Sequence, residues 1–323
     1  MRGSTAPLPT EPSPQISASH PAGQTGVPSI PCDVTGRPSG PRDEQPLLHL
    51  QRAVGKVDVA FARKNGGSVL RQLRQQGAAK CKFPRIWSAQ PEAVLLNTAG
   101  GVTGGDRFSQ TCAVDAGASL TVTTQTAERI YRSVSGEGHI SNTLSVAAGG
   151  RLDWLPQETI VFDGGRLRRR LDVSMAEDAT LWALEAYVLG RKAMGEKVRA
   201  GFVSDQWRIR RGGRLVFAEA MRLSDADGAF DTALSGRATA YGADAFATLI
   251  LCAPDAEDRL LTACRVLNEC GLGGDAKAMA GVSAWDGILC LRFLAPTGRV
   301  LRNALISALS ALREEPIPRV WRL

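Results

Sequence analysis

The sequence predicts a mainly β protein, with layered β-helical or solenoid-like sheets and two α-helices near the C-terminus. Three observations carry that reading. Four segments share one form, an alternating strand, a glycine or Glu-Asp turn, and a second strand: CAVDAGASLTV (112–122), LSVAAGGRLDW (144–154), LDVSMAEDATLWAL (171–184) and WRIRRGGRLVF (207–217). The leucines after these turns, Leu120, Leu152, Leu181 and Leu215, lie 32, 29 and 34 residues apart. Such a period is expected of stacked supersecondary units that bury one face of each strand. Helical periodicity, the third observation, is confined to two late stretches.

In chain order, residues 1–46 hold ten of the seventeen prolines. They read as a disordered extension, because this composition buries too little apolar surface to offset the entropy of ordering. Residues 47–323 read as one domain, with a β-helical body over about 50–250 and a helix-containing part over about 250–323. VDVAFARKNGGSVL predicts a hairpin: Val57, Val59 and Phe61 alternate before an Asn65-Gly66-Gly67 turn. TTQTAERIYRS (123–133) is polar on both strand faces. Thr124, Gln125, Thr126, Glu128 and Arg129 either line a hydrated interior or form a solvated edge strand. ATLILCA (247–253) reads as a buried strand. The next stretch, PDAEDRLLTACRVLNECG, reads as a helix with Leu260, Leu261, Cys264 and Leu267 on one face and Gly271 at its end. VSAWDGILCLRFLA (282–295) is β again, and TGRVLRNALISALSALREE predicts a helix N-capped by Thr297. Val320 and Trp321 beside Leu323 are expected to form an exposed apolar patch.

Composition narrows the function classes. The net charge is +7 and charged residues make up 22%, a mild basic bias well short of a nucleic-acid tail. Arginines concentrate between Arg166 and Arg214, as a solvated face or as a docking face for an acidic partner or polyanion. No apolar run approaches the ~20 residues needed to cross a bilayer, and the N-terminus lacks the charged head and apolar core of a secretory signal. Seven scattered cysteines without a CxxC pair fit a reduced, cytoplasmic protein. Three histidines argue against a dedicated zinc site.

The loop LLNTAGGVTGGDR (95–107) does not fit a phosphate cradle. A P-loop ends in GK[ST], whereas Asp106 stands here and repels phosphate, and no GxGxxG follows a strand. A GxSxG nucleophile elbow is absent. Glu185 and Glu196 are candidates for acid/base work, although nothing in their spacing shows that they meet. No catalytic residue is assigned.

Five pieces in order, LLNTAGGVTGGDRF, TTQTAERIYRS, WLPQETIVFDGGRLRRRLDV, LWALEAYVLGRKAMGE and PIPRVW, resemble the urease accessory protein family UreD, also called UreH. The resemblance spans about residues 50–323. The family's early Gly-Pro-Leu segment is replaced here by GAAKCKFPR, and the proline-rich extension lies outside the pattern. The resemblance implies a non-enzymatic role in maturing the urease nickel centre. The protein would bind the urease apoprotein, recruit a UreF-like partner and, through it, a UreG-like GTPase, and engage neither nucleic acid nor membrane. It implies a layered β-helical fold with two helices and a water-filled passage for nickel in transit, with no tightly bound cofactor. By motif, the carried-over acids are Asp106 in GGD, Glu128 in TTQTAER, Glu185 in LWALEA and Glu196 in GRKAMGE. Carboxylates suit transient passage, since oxygen ligands hold Ni²⁺ less tightly than thiolate or imidazole. Asp106 fits equally a turn acid capping backbone N–H groups. Two alternatives stand beside this reading: a pure protein–protein scaffold, and a hydrolase or lyase using Glu185 and Glu196. Deleting residues 1–45 is expected to leave soluble yield and urease activation unchanged; a loss comparable to deleting the whole protein would refute this.

Overall fold

The computed structural model describes residues 51–86, 88, 90–191, 194–227, 230–270 and 278–322. The extension of residues 1–46, Gly271 and Leu323 lie outside the described residues. The elements are β1 (Val54–Lys64), β2 (Gly67–Gly77), β3 (Ala79–Lys82), β4 (Glu92–Asn97), β5 (Arg107–Val114), β6 (Ser119–Thr124), β7 (Glu128–Ile130), β8 (Gly138–Val146), β9 (Arg151–Leu155) and β10 (Thr159–Val161). They continue with β11 (Arg166–Met175), β12 (Thr180–Leu189), β13 (Phe202–Arg211), β14 (Arg214–Ser224), α1 (Phe230–Ser235), β15 (Ala245–Cys252), α2 (Leu260–Cys270), β16 (Met279–Trp285), β17 (Ile288–Ala295) and α3 (Gly298–Leu312).

The predicted repeat is a stack of parallel rungs. β5, β8, β11 and β13 pair in parallel in a first sheet of order β14-β13-β11-β8-β5-β1-β2. β4, β6, β9 and β12 pair in parallel in a second sheet of order β16-β17-β15-β12-β9-β6-β4-β3, and β10 joins β12 to β7 as a short third column. Each rung crosses from the first sheet to the second through a tight turn closed by an i to i+3 bond: Ala118 N–H to Asp115, Gly150 to Ala147, Ala179 to Ala176. Neighbouring turns bond in turn, Arg151 N–H to Ala118 and Thr180 to Gly150. The leucines after these turns are therefore in register, Leu120 opposite Leu152 and Leu152 opposite Leu181, all fully buried.

The fourth segment departs from the expectation. WRIRRGGRLVF is not a rung but an antiparallel hairpin, β13 to β14, and Leu215 is 47% exposed. Gly212 and Gly213 both have positive φ (55° and 83°). Two successive left-handed residues make the tight turn that folds a strand back beside itself. The same geometry at Asn65-Gly66 (φ 52° and 80°) builds the expected β1–β2 hairpin, with Gly67 already inside β2.

Two cores result. Between the sheets lie the leucine ladder and the first-sheet row Cys112, Leu144, Val173, Ile209. On the outer side of the second sheet, Trp182, Leu184, Ala247, Leu249, Leu251 and Leu291 pack against the helices. α3 is as expected: Thr297 accepts the Val300 N–H at 3.3 Å, and Leu301, Ala304, Leu305, Ala308 and Leu312 are buried. α2 is rotated relative to expectation. Ala263 is buried and Leu260 and Leu267 pack half-buried against the core, while Leu261 (78%) and Cys264 face out. The C-terminal patch is also corrected: Trp321 is 1% exposed, its indole N–H donating to Thr123 Oγ1 at 3.1 Å and the Leu155 carbonyl at 3.2 Å.

Replacing Leu152 by Ala is expected to cost about 2–5 kcal/mol of unfolding free energy, because a ladder residue leaves a cavity. The same change at Leu215 should cost about 0.5 kcal/mol or less. Equal costs in denaturant titrations would contradict the rung assignment.

Candidate functional site

Alternation along the strands puts charge inside the molecule. In β11, Leu167, Leu171, Val173 and Met175 face the inter-sheet core, and Arg169 shares their parity. In β13, Asp205 shares parity with Val203, Trp207 and Ile209, and in β12, Glu185 lies between Ala183 and Tyr187. Arg169, Glu185, Asp205 and Tyr187 are all buried. The Arg169 guanidinium donates to Asp205 Oδ2 at 2.8 Å, Tyr187 Oη at 2.6 Å and Thr159 Oγ1 at 3.1 Å, and pairs with Glu185. Tyr187 donates to Asp205 at 2.8 Å, and the indole N–H groups of Trp154 and Trp207 donate to Glu185 and Asp205, each at 3.3 Å. Asp205 Oδ1 has no hydrogen-bond partner among the described residues.

Two carboxylates thus share one guanidinium. Burial pushes the Glu185 carboxyl up, Arg169 pulls against that, and Asp205 adds to it; the result is about 7 against an ordinary 4.5. One acid in excess keeps a proton near neutrality.

The cluster lies at the end of a cleft of about 880 Å³ where the sheets part. Its walls come from β12, β13, β14, β15, β16 and β17, with Leu234 of α1 and Thr239 and Ala240 after it. Register places Glu185, Thr248 and Arg292 in one row across β12, β15 and β17. At the outer end Arg292 clamps Glu219 of β14 through two bonds of 3.0 and 2.8 Å, and Thr248 donates to Glu219 at 3.3 Å. On the other side, Tyr187, Thr159 and Glu128 occupy one row across β12, β10 and β7. Glu128, half-buried, accepts from Asn97 Nδ2 at 3.2 Å on both oxygens and lines a cavity of about 80 Å³ with Gln110, Thr124 and Gln125. Burial raises its carboxyl, opposed by Asn97. Polar side chains therefore run from Glu219 and Arg292 through the interior to Glu128.

Asp106 and Glu196 are elsewhere. Buried Asp106 accepts the Ala53 N–H at 2.8 Å on one oxygen and the Thr103 N–H at 2.9 Å on the other. This answers the glycine-rich loop: a Cβ at Gly101 would stand 2.3 Å from the Tyr131 ring, and one at Gly104 2.0 Å from Ser133 Oγ. The loop packs hard against residues 129–136, and Asp106 ties its end to the start of β1. Glu196 pairs with Arg191 Nε at 2.9 Å and accepts its backbone N–H at 3.0 Å, contacts that hold its carboxyl below the usual range. It lines a different cleft, of about 730 Å³, with Arg132, Arg191, Lys197 and Arg199. Glu185 and Glu196 line different cavities. No three His, Cys, Asp or Glu side chains gather as a metal-holding group among the described residues, and no described helix is long and apolar enough to cross a membrane.

The sequence model of the family described as "UreD urease accessory protein" matches residues 53–322. The chain belongs to the UreD family. Its curated relatives include proteins named "Urease accessory protein UreD" from Rhizobium leguminosarum bv. viciae, 46% identical over 84% of this chain and 96% of the relative. Another, from Dinoroseobacter shibae, is 48% identical over 85% and 94%. In this UreD-family chain, Arg169 stands in the basic run of residues 166–214 and Tyr187 in the LWALEAYVLG motif, but the sequence assigns neither them nor Asp205 a site role. The signal was present: Arg169 and Asp205 break the inward parity of otherwise apolar strands.

The raised Glu185 carboxyl sets a pH dependence. Its native value lies above the unfolded one, so the native state holds more protons between about pH 4.5 and 7. Its contribution to stability therefore falls as pH rises through that window. Glu185→Gln is expected to gain stability relative to wild type from pH 5 to pH 8 in denaturant titrations; a difference independent of pH would contradict the shared-proton cluster.

Proposed function

We propose that this protein is a non-enzymatic maturation factor for the nickel centre of urease. It binds the urease apoprotein, recruits a UreF-like partner and through it a UreG-like GTPase, and nickel moves along its interior polar line. Family membership and the names of its relatives support the role in urease maturation. The observation that supports passage is the run of side chains from Glu219 through Thr248 and the Glu185–Asp205 cluster to Glu128. Carboxylates along it attract a divalent cation without the thiolate or imidazole sets that would retain one. Asp106 and Glu196 are spent on backbone N–H groups and Arg191, so the proposal rests on Glu128 and Glu185.

One observation favours a pure scaffold instead: Arg169 and Arg292 stand on the same line, and their charge opposes a dication. Glu128→Gln and Glu185→Gln separate the readings. Both variants are expected to fold and to co-purify with the urease apoprotein and the UreF-like partner, because Asp205 still neutralises Arg169 and an amide oxygen still accepts from Trp154 or Asn97. Under the proposal, urease nickel measured on the same samples falls well below wild type. Normal assembly with normal nickel would leave the scaffold reading.

A further inference from the structure

The two sheets differ in what covers them. The outer side of the second sheet carries α2, α3 and the C-terminal turn. The outer side of the first sheet is polar and accessible along β8 and β11, where Ser141, Thr143, Ser145, Arg168, Arg170 and Ser174 are exposed. Outward positions of β11, β13 and β14 hold Arg166, Arg168, Arg170, Arg208, Arg210 and Arg222, with Asp172, paired with Arg170, as the one acid. Register lines Arg107, His139, Arg168, Ser204 and Arg222 in one row across five strands. Phe202, the outward residue beside that row, has the guanidinium carbons of Arg166, Arg168 and Arg222 at 5.5, 5.2 and 5.5 Å from its ring centre. Glu137 and Asp225 pair with Arg168 and Arg166 from the sheet's end.

We propose that this outer face of the first sheet, centred on the arginines over Phe202, docks a carboxylate-rich protein surface. This rests on the proposed function, in that the surface belongs to the urease apoprotein. Three features select an acidic protein. The arginines outnumber the acids that pair with them, so the face keeps a net positive charge that a partner's carboxylates complement. Arginine forks meet carboxylates bidentately. The flanking serines and threonines are short and leave a level floor for a protein surface. A single-stranded nucleic acid would need exposed rings on which bases stack, and Phe202 is 4% exposed beneath its guanidiniums.

The test uses the full chain and the purified urease apoprotein of the same organism, with complex formation titrated at low and at physiological ionic strength. Wild type should bind, and more weakly as salt is raised. Arg166→Gln/Arg168→Gln/Arg222→Gln should weaken binding by about tenfold or more and lose most of the salt dependence. The triple Lys variant at the same positions should retain binding well above the Gln variant, since it keeps the charge. Arg265→Gln/Arg319→Gln, which removes charge from exposed positions in α2 and the C-terminal turn, should bind as wild type. If the Gln variant binds like wild type, or if it loses only retention on heparin, this assignment is overturned and the proposed function stands. If wild type fails to bind the apoprotein, the proposed function falls, and this assignment with it.

Discussion

One guanidinium holds the interior together at the point where apolar packing ends. Arg169 belongs to the first sheet, yet its partners Glu185, Tyr187 and Thr159 belong to the second sheet and its short column. Within each sheet, backbone bonds fix the strands. Backbone turns join the sheets along one edge, and across the interior side chains span the gap. Towards β1 and β4, leucines, valines and aromatics fill the gap; towards β14 and β16 the sheets part into the 880 Å³ cleft. Removing Arg169 would leave the two buried acids without their cation, a loss on the order of 3–5 kcal/mol. The width of the inter-sheet space near the cleft therefore depends on this contact.

A second buried pair does the same work for the tail. Arg313, the residue that ends α3, donates to Asp153 at 2.6 and 3.1 Å, and Gln90 joins it at 3.0 Å. Arg302, farther back on α3, reaches Glu158 and Gln157, while Trp321 inserts beneath it. The end of the chain is thus part of the second core. Its apolar residues look like an exposed patch only when the sequence is read without the sheet that receives them.

Local geometry was legible where it is written locally. The three Gly or Glu-Asp turns with their leucines gave the rungs, and Asn65-Gly66 gave a hairpin, because both depend on residues within a few positions. The same turn-like spelling at Gly212-Gly213 misled, since RGGR continues no stack: β13 has a parallel partner on one side and its own hairpin on the other. Helix α2 was placed correctly but turned wrongly, because Ala263 carries too little hydrophobicity to outweigh Leu261 in a pattern. The interior cluster was hidden for a different reason. Glu185 could be singled out, but its partners come from strands 16 and 20 residues away in sequence, Arg169 and Asp205. Only strand register brings them together. The same holds for Glu128 and Thr159, joined by a column of three-residue strands too short to announce itself.

The charges along the interior line bear on how such a line would act. Glu219, Glu185, Asp205 and Glu128 are its carboxylates; Arg292 and Arg169 are its guanidiniums. Acids are in excess, so the line as a whole favours a cation. Yet each carboxylate is engaged by a guanidinium or an amide, and Glu185 holds a proton near neutrality. A dication stopping at any one of them must compete with a bond already made, which lowers affinity at every step while leaving the overall attraction. Strong, bare carboxylate clusters would retain a metal; engaged ones let it go. Under the proposed function, the arginines whose charge opposes a dication are what keep a conduit from becoming a store.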